Sequence, residues 1–444
     1  MQQVNLGMIG AGTVGSGVFH ALQRNGNLIA DRLGVKISLR KVAVKTLDKT
    51  RPHSFPRSLL TTDWQEVVND PETHIIIELV GGTSLAKTII LAALEKGKTV
   101  VTANKALLSS HGKELFAAAA KHGASLYYEA SVCGGIPIIK SLREGFVANQ
   151  FSAIYGIVNG TCNYILTRMK LEGAEFADVL ADAQKHGYAE TPPDLDIDGF
   201  DAQHKTGILA SLAHGFWVDH NHIHTEGIRT ISKIDMQFAQ QLGYTIKLLG
   251  IVKQANSPKS RSTKHGTRNG VQVSVYPALI PSTHVLANVN QVFNAVFVRG
   301  DIVGDTLFYG RGAGKDATAS AVLSDVADAA LDLKNNAKIR VPPFVAHAKN
   351  ACVTPMDEIV SRYYVRLDVV DQPGVLAKIA AIFATAKIGI SSVIQPEGHE
   401  GESVPLILML HDAPNAAMRK ALAKIAKLPA VKSQPVMFRV ENLI

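Results

Sequence analysis

One short segment constrains this chain more than any other. The apolar run VNLGMIG at 4–10 leads directly into Gly10-Ala11-Gly12-Thr13-Val14-Gly15, and an amphipathic helical pattern follows over 14–30. GxGxxG is a weak signal alone, but after a strand and at the start of a helix it reads as a dinucleotide-binding turn. Gly10 permits the tight turn, Gly12 lets the backbone approach a pyrophosphate, and Gly15 lets helix and strand pack closely. The helix N-terminus, with Ala11, Thr13 and Val14 around it, then faces the phosphates.

The next 120 residues continue the theme. Strand-like runs at 39–44, 74–80, 98–103 and 125–130 alternate with helical patterns at 63–69, 84–96 and 105–122. That alternation implies βαβ units and a parallel sheet. The run IIIELV is apolar at nearly every position, as a strand buried on both faces should be. From about residue 135 helices at 135–147, 161–171, 175–186 and 200–217 mix with strands at 151–158 and 271–279, and a helix over 318–333 follows a Gly-rich turn. This second region reads as α+β. From 362 onward the order is β-α-β-β-α-β, the ferredoxin-like split βαβ motif. The expected division is 1–134 for a Rossmann-type NAD(P)-binding domain, 135–340 for an α+β domain, 341–360 for a Pro-containing linker, and 361–444 for a small ferredoxin-like domain. The length of 444 residues is consistent with this, at about 150 residues per domain.

The end of the second strand carries the cofactor preference. NAD needs an acidic residue there for the ribose hydroxyls, whereas a cation suits the 2′-phosphate of NADP. The sequence runs KVAVKTLDKTR, which puts Lys45 nearest that position with Lys49 and Arg51 close by. NADP(H) is therefore expected, and Asp48 keeps NAD(H) open.

A second constellation lies at 187–205, GYAETPPDLDIDGFDAQHK. Asp194, Asp196, Asp198 and Gly199 resemble the start of a calcium loop, but its twelfth position, where a bidentate Glu belongs, is Lys205. Asp201 and Lys205 stand four apart and share a helix face, which continues into Ile208, Leu209 and Leu212. A lysine at the edge of an apolar face is readily desolvated toward catalytic pKa values. The competing reading of the spacing is an ordinary surface ion pair. The dinucleotide motif favours the catalytic one, because a hydride-transfer enzyme needs a proton donor at the substrate oxygen.

Composition excludes several other classes. Hydrophobic residues make up 46% and charged residues 19%, so the chain is not disordered. No apolar stretch is long enough to span a membrane, and the first residues lack the features of a signal peptide. Cys133, Cys162 and Cys352 form no CxxC and no even set, which fits a reducing cytoplasm. The net charge of +8 comes from dispersed residues. The densest basic cluster, at 253–268, reads as a solvated hairpin extension; it has no interleaved aromatics, so no nucleic-acid partner is expected. His214, His220, His222 and His224 do not have HExxH spacing, and GRGAGKDAT lacks Walker A register, so neither a zinc site nor ATP binding is expected.

Taken together, these residues resemble the homoserine dehydrogenase family over nearly the whole chain. The resemblance is carried by GAGTVG at 10–15, VVTANKALL at 100–108, YEASVCGGIPII at 128–139, GIVNGTCNYIL at 156–166, GYAE at 187–190, DIDGFDAQHK at 196–205, LGYTIKLLG at 242–250 and GRGAGKDAT at 310–318. DQPGVLAKIA at 371–380 is similar to the signature of an ACT domain. No kinase-like segment precedes the dehydrogenase, so the monofunctional form is expected. The resemblance implies an NAD(P)-dependent interconversion of L-homoserine and L-aspartate 4-semialdehyde. It implies that Lys205 is the proton donor, that Lys105 also acts between cofactor and substrate, and that Glu190 binds the substrate amino group beside Asp196 and Asp201. It further implies a monovalent cation, Na⁺ or K⁺, held mostly by backbone carbonyls over Glu129, Val132, Gly134 and Ile136, and a nicotinamide near Gly310. A homodimer or homotetramer is expected, with an amino-acid effector such as threonine near Asp371 and Gly374. The chain departs from the family pattern at Thr191-Pro192-Pro193, where Asp-Pro is usual after Glu-Ala, and at Cys162, where Thr is common.

Two other readings are open to test. A thiol enzyme acting on an acyl intermediate would need a reactive Cys133 or Cys162. An amino-acid sensor without turnover would use only the C-terminal domain.

Overall fold

The computed structural model describes residues 1–255, 262–263, 266–267, 269–337, 339–397, 399 and 401–443. Lys259, Arg261, Lys264 and Arg268 of the basic cluster lie outside the described residues. The chain forms two compact units, each built from three segments: Met1–Phe151, Gly207–His220 and Asn294–Lys349 in the first, Ser152–Thr206, Asn221–Phe293 and Asn350–Ile444 in the second.

The first unit contains a six-stranded parallel sheet. Its strands are β1 (Gln2–Ile9), β2 (Val35–Ala43), β3 (Leu60–Thr61), β4 (Ile75–Glu78), β5 (Thr99–Thr102) and β6 (Leu126–Tyr127). Their order, β3-β2-β1-β4-β5-β6, is that of the doubly wound dinucleotide fold. All four residues of β4 are buried, the apolar Ile75–Ile77 and the acidic Glu78 that ends the strand. The helices α1 (Thr13–Leu33), α2 (Trp64–Asn69), α3 (Ser84–Glu95) and α4 (Lys105–His122) connect the strands. α1 and α4 stop at Gly34 and Gly123, both left-handed.

The helix expected over 318–333 spans Lys315–Lys334 and packs on α1 inside this unit. Ala319, Val322, Val326 and Ala329 join Val18, Val35 and Val42 in one core. Gly17 of α1 makes the approach possible, because a Cβ there would lie 2.8 Å from Lys315 Cγ and 2.9 Å from its carbonyl oxygen.

Three expected elements differ. The helix expected over 135–147 is only Ile138–Lys140, followed by a wider turn at Ser141–Gly145. Gly134, Gly135 and Pro137 delay its start, and residues 146–150 form no helix. The strand expected over 125–130 ends at Tyr127, and Glu129–Ser131 form a 3₁₀ turn. The helix expected to 217 ends at His214, before left-handed Gly215. The short β3 and the strands Phe293–Gly300 and Gly304–Arg311 were not anticipated.

In the second unit, Phe151–Ile157 runs antiparallel to Tyr244–Gln254, which runs antiparallel to Asn269–Pro281. The C-terminal residues supply strands Val360–Val370, Ile390–Ile394, Ser403–Pro414 and Val436–Val440, with helices Val375–Thr385 and Asn415–Ile425. Their sheet order is fourth, first, third, second, the arrangement of the split βαβ motif. The fourth strand also pairs with Asn269–Pro281, through Ala278 to Arg439 and Leu279 to Val440. This module has its own core, including Tyr363, Ile379, Phe383, Leu408 and Met418.

Candidate active site

Two sites emerge, one in each unit. In the first unit the glycine turn follows β1 at the point where the strand order reverses, the crevice in which open α/β sheets bind ligands. The three glycines serve three different needs. Gly10 has φ +106°, donates to the Ala43 carbonyl at 2.9 Å, and would bring a Cβ to 2.4 Å from the Leu79 oxygen. A Cβ on Gly15 would meet the Gly10 carbonyl oxygen at 2.2 Å. A Cβ on Gly12 would meet nothing within 4 Å. The two flanking glycines therefore serve packing, and the middle one leaves the backbone open for a phosphate. Ala11 is buried, Val14 packs against the core, and Thr13 begins α1.

Lys45 is exposed just past the end of β2. In the loop beyond it the Arg51 guanidinium donates to the carbonyls of Thr46, Leu47 and Lys49, which gives the segment a fixed shape. Asp48 pairs with Arg57 at 3.3 Å. Glu78, not singled out from the sequence, closes the ends of β4 and β5. It accepts from Thr102 Oγ1 at 2.7 Å and from the Val80 N–H at 2.8 Å. Burial raises its pKa, and these hydrogen bonds oppose the rise. Lys105 opens α4, whose N-cap Asn104 accepts from the Leu107 N–H.

The segment from Glu129 to Ile136 folds as a compact loop. Both Glu129 carboxylate oxygens take backbone N–H groups, from Ile139 at 2.9 Å and from Lys140 at 2.7 Å. Burial pushes this carboxyl up to about 7 against those donors. Its own N–H donates to buried Asp325 at 2.8 Å. Val132 and Gly134 are buried, and among the described residues their carbonyls accept no main-chain hydrogen bond. Buried carbonyls normally find a partner, so such oxygens suit a hard cation. The Ile136 carbonyl accepts from Ile138 at 2.8 Å. Gly310 lies against this loop: a Cβ on it would be 3.2 Å from Ile136 Cγ1, and Gly135 donates to the Arg311 carbonyl at 2.9 Å.

The second unit holds the lysine constellation. Lys205 and Asp201 lie on the helix Phe200–His214, and both are buried. Lys205 Nζ donates to Asp201 Oδ2 at 2.7 Å and to the Val158 carbonyl at 2.8 Å. Asn159, to which the sequence reading gave no role, organises the rest. It caps the helix Gly160–Glu172 through Oδ1, which accepts from the Cys162 N–H at 2.8 Å. Its Nδ2 donates to Asp196 Oδ1 at 2.7 Å and to Asp201 Oδ2 at 2.9 Å. One amide thus holds two carboxylates close together, and one ammonium offsets their charge. Asn159 precedes a helical run and carries an N-cap side chain, which is the signal that could have found it.

Asp194 and Asp198 face the other way and pair with Arg229, at 2.5 Å for Asp198. The Arg229 guanidinium holds the Asp198 carboxyl below its ordinary range. Glu190 is exposed, and among the described residues its carboxylate makes no hydrogen bond or ion pair. The structure therefore gathers Lys205, Asp201 and Asp196 and leaves Glu190 outside that network.

The thiol alternative finds little support at Cys162. Cys162 is buried with its Sγ 3.1 Å from the Asp196 carbonyl, and burial and then the Asp196 and Asp201 charges push its thiol far above the ordinary value. Such a thiol is a poor nucleophile. Among the described residues no group of three or more His, Cys, Asp or Glu could hold a metal ion. Asp371 and Gly374 line one cavity of about 380 Å³ in the C-terminal module, with Gln372, Val375 and Gln395. Among the described residues no helix is long and apolar enough to cross a membrane.

Comparison with known proteins adds an independent line. Residues 10–129 match the family model described as "Homoserine dehydrogenase, NAD binding domain", and residues 137–327 match "Homoserine dehydrogenase". A homoserine dehydrogenase of Pseudomonas aeruginosa is 41% identical over 449 aligned positions, covering 100% of both chains. The crystal structure of one from Thiobacillus denitrificans is 40% identical, with a TM-score of 0.90 over 100% of this chain and 99% of that one. A hyperthermophilic archaeal homoserine dehydrogenase in complex with NADPH is 25% identical, with a TM-score of 0.60 over 74% of this chain and 98% of its own.

Proposed function

The chain belongs to the homoserine dehydrogenase family, and from that premise we propose which of its residues carry the reaction. The enzyme interconverts L-homoserine and L-aspartate 4-semialdehyde with a nicotinamide cofactor, on the route from aspartate to threonine, methionine and isoleucine. Lys205 is the proton donor. The observation that carries this role is a buried ammonium held by one carboxylate and one carbonyl, with a second carboxylate linked in through Asn159.

The dinucleotide, when bound, supplies the hydride to the aldehyde carbon. Lys205 gives the aldehyde oxygen its proton, directly or through a water, and becomes a neutral amine. In homoserine oxidation it starts neutral and takes the proton back. Asp201 orients the ammonium, and Asp196 and exposed Glu190 bind the substrate α-ammonium. Lys105, opening α4, assists between cofactor and substrate.

Gly10 to Gly15 hold the pyrophosphate, Lys45 the 2′-phosphate of NADP(H), and Gly310 lies near the nicotinamide; NAD(H) remains a usable cofactor. The carbonyls of Glu129, Val132, Gly134 and Ile136 hold Na⁺ or K⁺. The buried Val132 and Gly134 oxygens support this assignment. The cation would brace the loop against the strand that carries Gly310. A salt-dependent rise in melting temperature tests it.

The functional division follows the boundaries 1–134, 135–340 and 361–444, joined by 341–360. The C-terminal module acts as an ACT domain with an amino acid such as threonine in the Asp371–Gly374 cavity. Unchanged rate and assembly at millimolar threonine would remove that role. Exposed Val147, Ile302 and Tyr309 support a homodimer or homotetramer. Free cysteines fit a cytoplasmic setting.

The deciding experiment follows oxidation of NADPH and of NADH, each with and without L-aspartate 4-semialdehyde, in the presence of Na⁺ and K⁺. Semialdehyde-dependent oxidation supports the reaction, and the ratio of rates tests Lys45. A folded protein that oxidises neither cofactor would overturn the site as described.

A further inference from the structure

The segment Thr225–Arg229 is held on two sides within the second unit. On one side it grips the turn that carries Asp196. Ile228 donates to the Ile197 carbonyl at 2.8 Å. Gly227 lies so close that a Cβ would sit 2.2 Å from the Ile197 oxygen. Arg229 clasps Asp198 in two places and reaches Asp194. Asp194 and Asp198 are thereby turned outward, and Asp196 between them is left to meet Asn159.

On the other side the segment meets the C-terminal βαββαβ module. Glu226 accepts from Arg439 Nη1 at 2.9 Å, and its other oxygen lies 2.6 Å from His224 Nε2. Arg439 is on the last strand of the module and is 1% exposed. Its guanidinium lies over the Tyr276 ring at 4.6 Å and donates to Asn415 Oδ1 at 2.9 Å. The Glu226 N–H is fixed to the Val275 carbonyl at 2.8 Å. Arg439 is buried and Glu226 half-buried, and each is tied by further partners, so the pair is held in place and transmits position rather than absorbing it.

We propose that Glu226 is a positioning residue for the substrate turn, through which the C-terminal module, by Arg439, sets the place of Asp196. The module does not touch the reacting atoms. It acts on the turn through Glu226, Gly227 and Arg229, so loosening the joint costs substrate affinity before it costs cofactor affinity. The inference rests on the reading that Asp196 contributes to substrate binding.

The test uses the full-length enzyme with Glu226→Gln, which keeps the shape but removes the charge, and with Arg229→Gln, which opens only the outer clasp and leaves the Glu226–Arg439 pair intact. Semialdehyde KM is expected to rise about tenfold in both, with the NADPH dissociation constant within about twofold of the parent and Arg229→Lys recovering part of the loss. If Glu226→Gln does not fold, Arg439→Lys, which keeps the charge at the joint but changes its reach, takes its place with the same expected rise. An unchanged semialdehyde KM in a folded variant overturns the proposal, as does an equal weakening of NADPH. Asp196→Asn separates the two readings. If it raises KM and the joint variants do not, only this inference fails; if it has no effect either, the substrate-site reading fails with it.

Discussion

The Lys205 ammonium sits 2.7 Å from the Asp201 carboxylate one helical turn earlier, and both groups are buried. Asp201 and the Val158 carbonyl hold this ammonium in one place, as a proton donor must be held. Lys205→Ala is therefore expected to cut turnover by about a hundredfold or more while NADPH binding, followed by fluorescence, persists. Homoserine oxidation in the parent should rise with pH as the lysine becomes able to accept a proton. Near-parent turnover in the variant would reject Lys205 as donor.

Lys45 stands past the end of β2 on a loop shaped by Arg51. Lys45→Ala should raise KM for NADPH by about tenfold and leave NADH nearly unchanged, the loss expected for one exposed charge-assisted phosphate contact. An equal effect on both cofactors would show that the lysine does not read the 2′-phosphate.

Gly10 and Gly12 should respond differently to the same substitution. A methyl on Gly10 would stand 2.4 Å from the Leu79 oxygen at φ +106°, whereas one on Gly12 would meet empty space. Gly10→Ala is expected to lower the melting temperature. Gly12→Ala should fold like the parent yet bind either dinucleotide at least about tenfold more weakly, because the methyl occupies the phosphate approach. Normal binding by Gly12→Ala would place the pyrophosphate elsewhere.

His214 supplies a pH test. Burial, and then the neighbouring His347, lower its pKa to about 4 from an ordinary 6.5. Folding therefore favours the neutral ring. Its contribution is fully present above pH 6.5 and is lost as pH falls through 4. The parent should lose on the order of 2–3 kcal/mol relative to His214→Leu across that window. Urea midpoints at pH 7 and pH 4.5 measure it; a pH-independent difference between the proteins would contradict the assignment.

Asp235 fastens the C-terminal module to the helix Lys233–Gln241. It caps that helix with Ser232 and accepts from Arg366 at 2.7 Å and from the Tyr364 hydroxyl at 3.1 Å. Asp235→Asn removes the charge beside Arg366 and should cost about 3 kcal/mol of stability by chemical denaturation. A loss below about 1 kcal/mol would mean that the pair is solvated rather than structural.

What could be read from the sequence was local. GxGxxG, the i,i+4 pair of Asp201 and Lys205, and the βαββαβ order all depend on neighbours within a few residues. Asn159 escaped because its carboxylate partners lie 37 and 42 positions away. Arg229 escaped for the same reason, its carboxylates lying 35 and 31 positions back. Glu78 reads as a lone acid in an apolar strand until Thr102 is brought beside it. The helix expected over 135–147 failed for a different reason. Ile136, Ile139, Leu142 and Phe146 recur at helical spacing, but Pro137 and the paired glycines before it bend the chain into the loop that Glu129 ties down.

The helix Lys315–Lys334 completes the core against α1, although some 280 residues of chain separate the two. During synthesis the nucleotide-binding fold thus leaves the ribosome with one apolar face bare, and it stays bare until three-quarters of the polypeptide has been made. Val18, Val35 and Val42 wait for Ala319, Val322 and Val326. A chain stopped near residue 134 would hold every glycine of the dinucleotide turn and still present a surface suited to aggregation, so the cofactor fold matures late in translation rather than first.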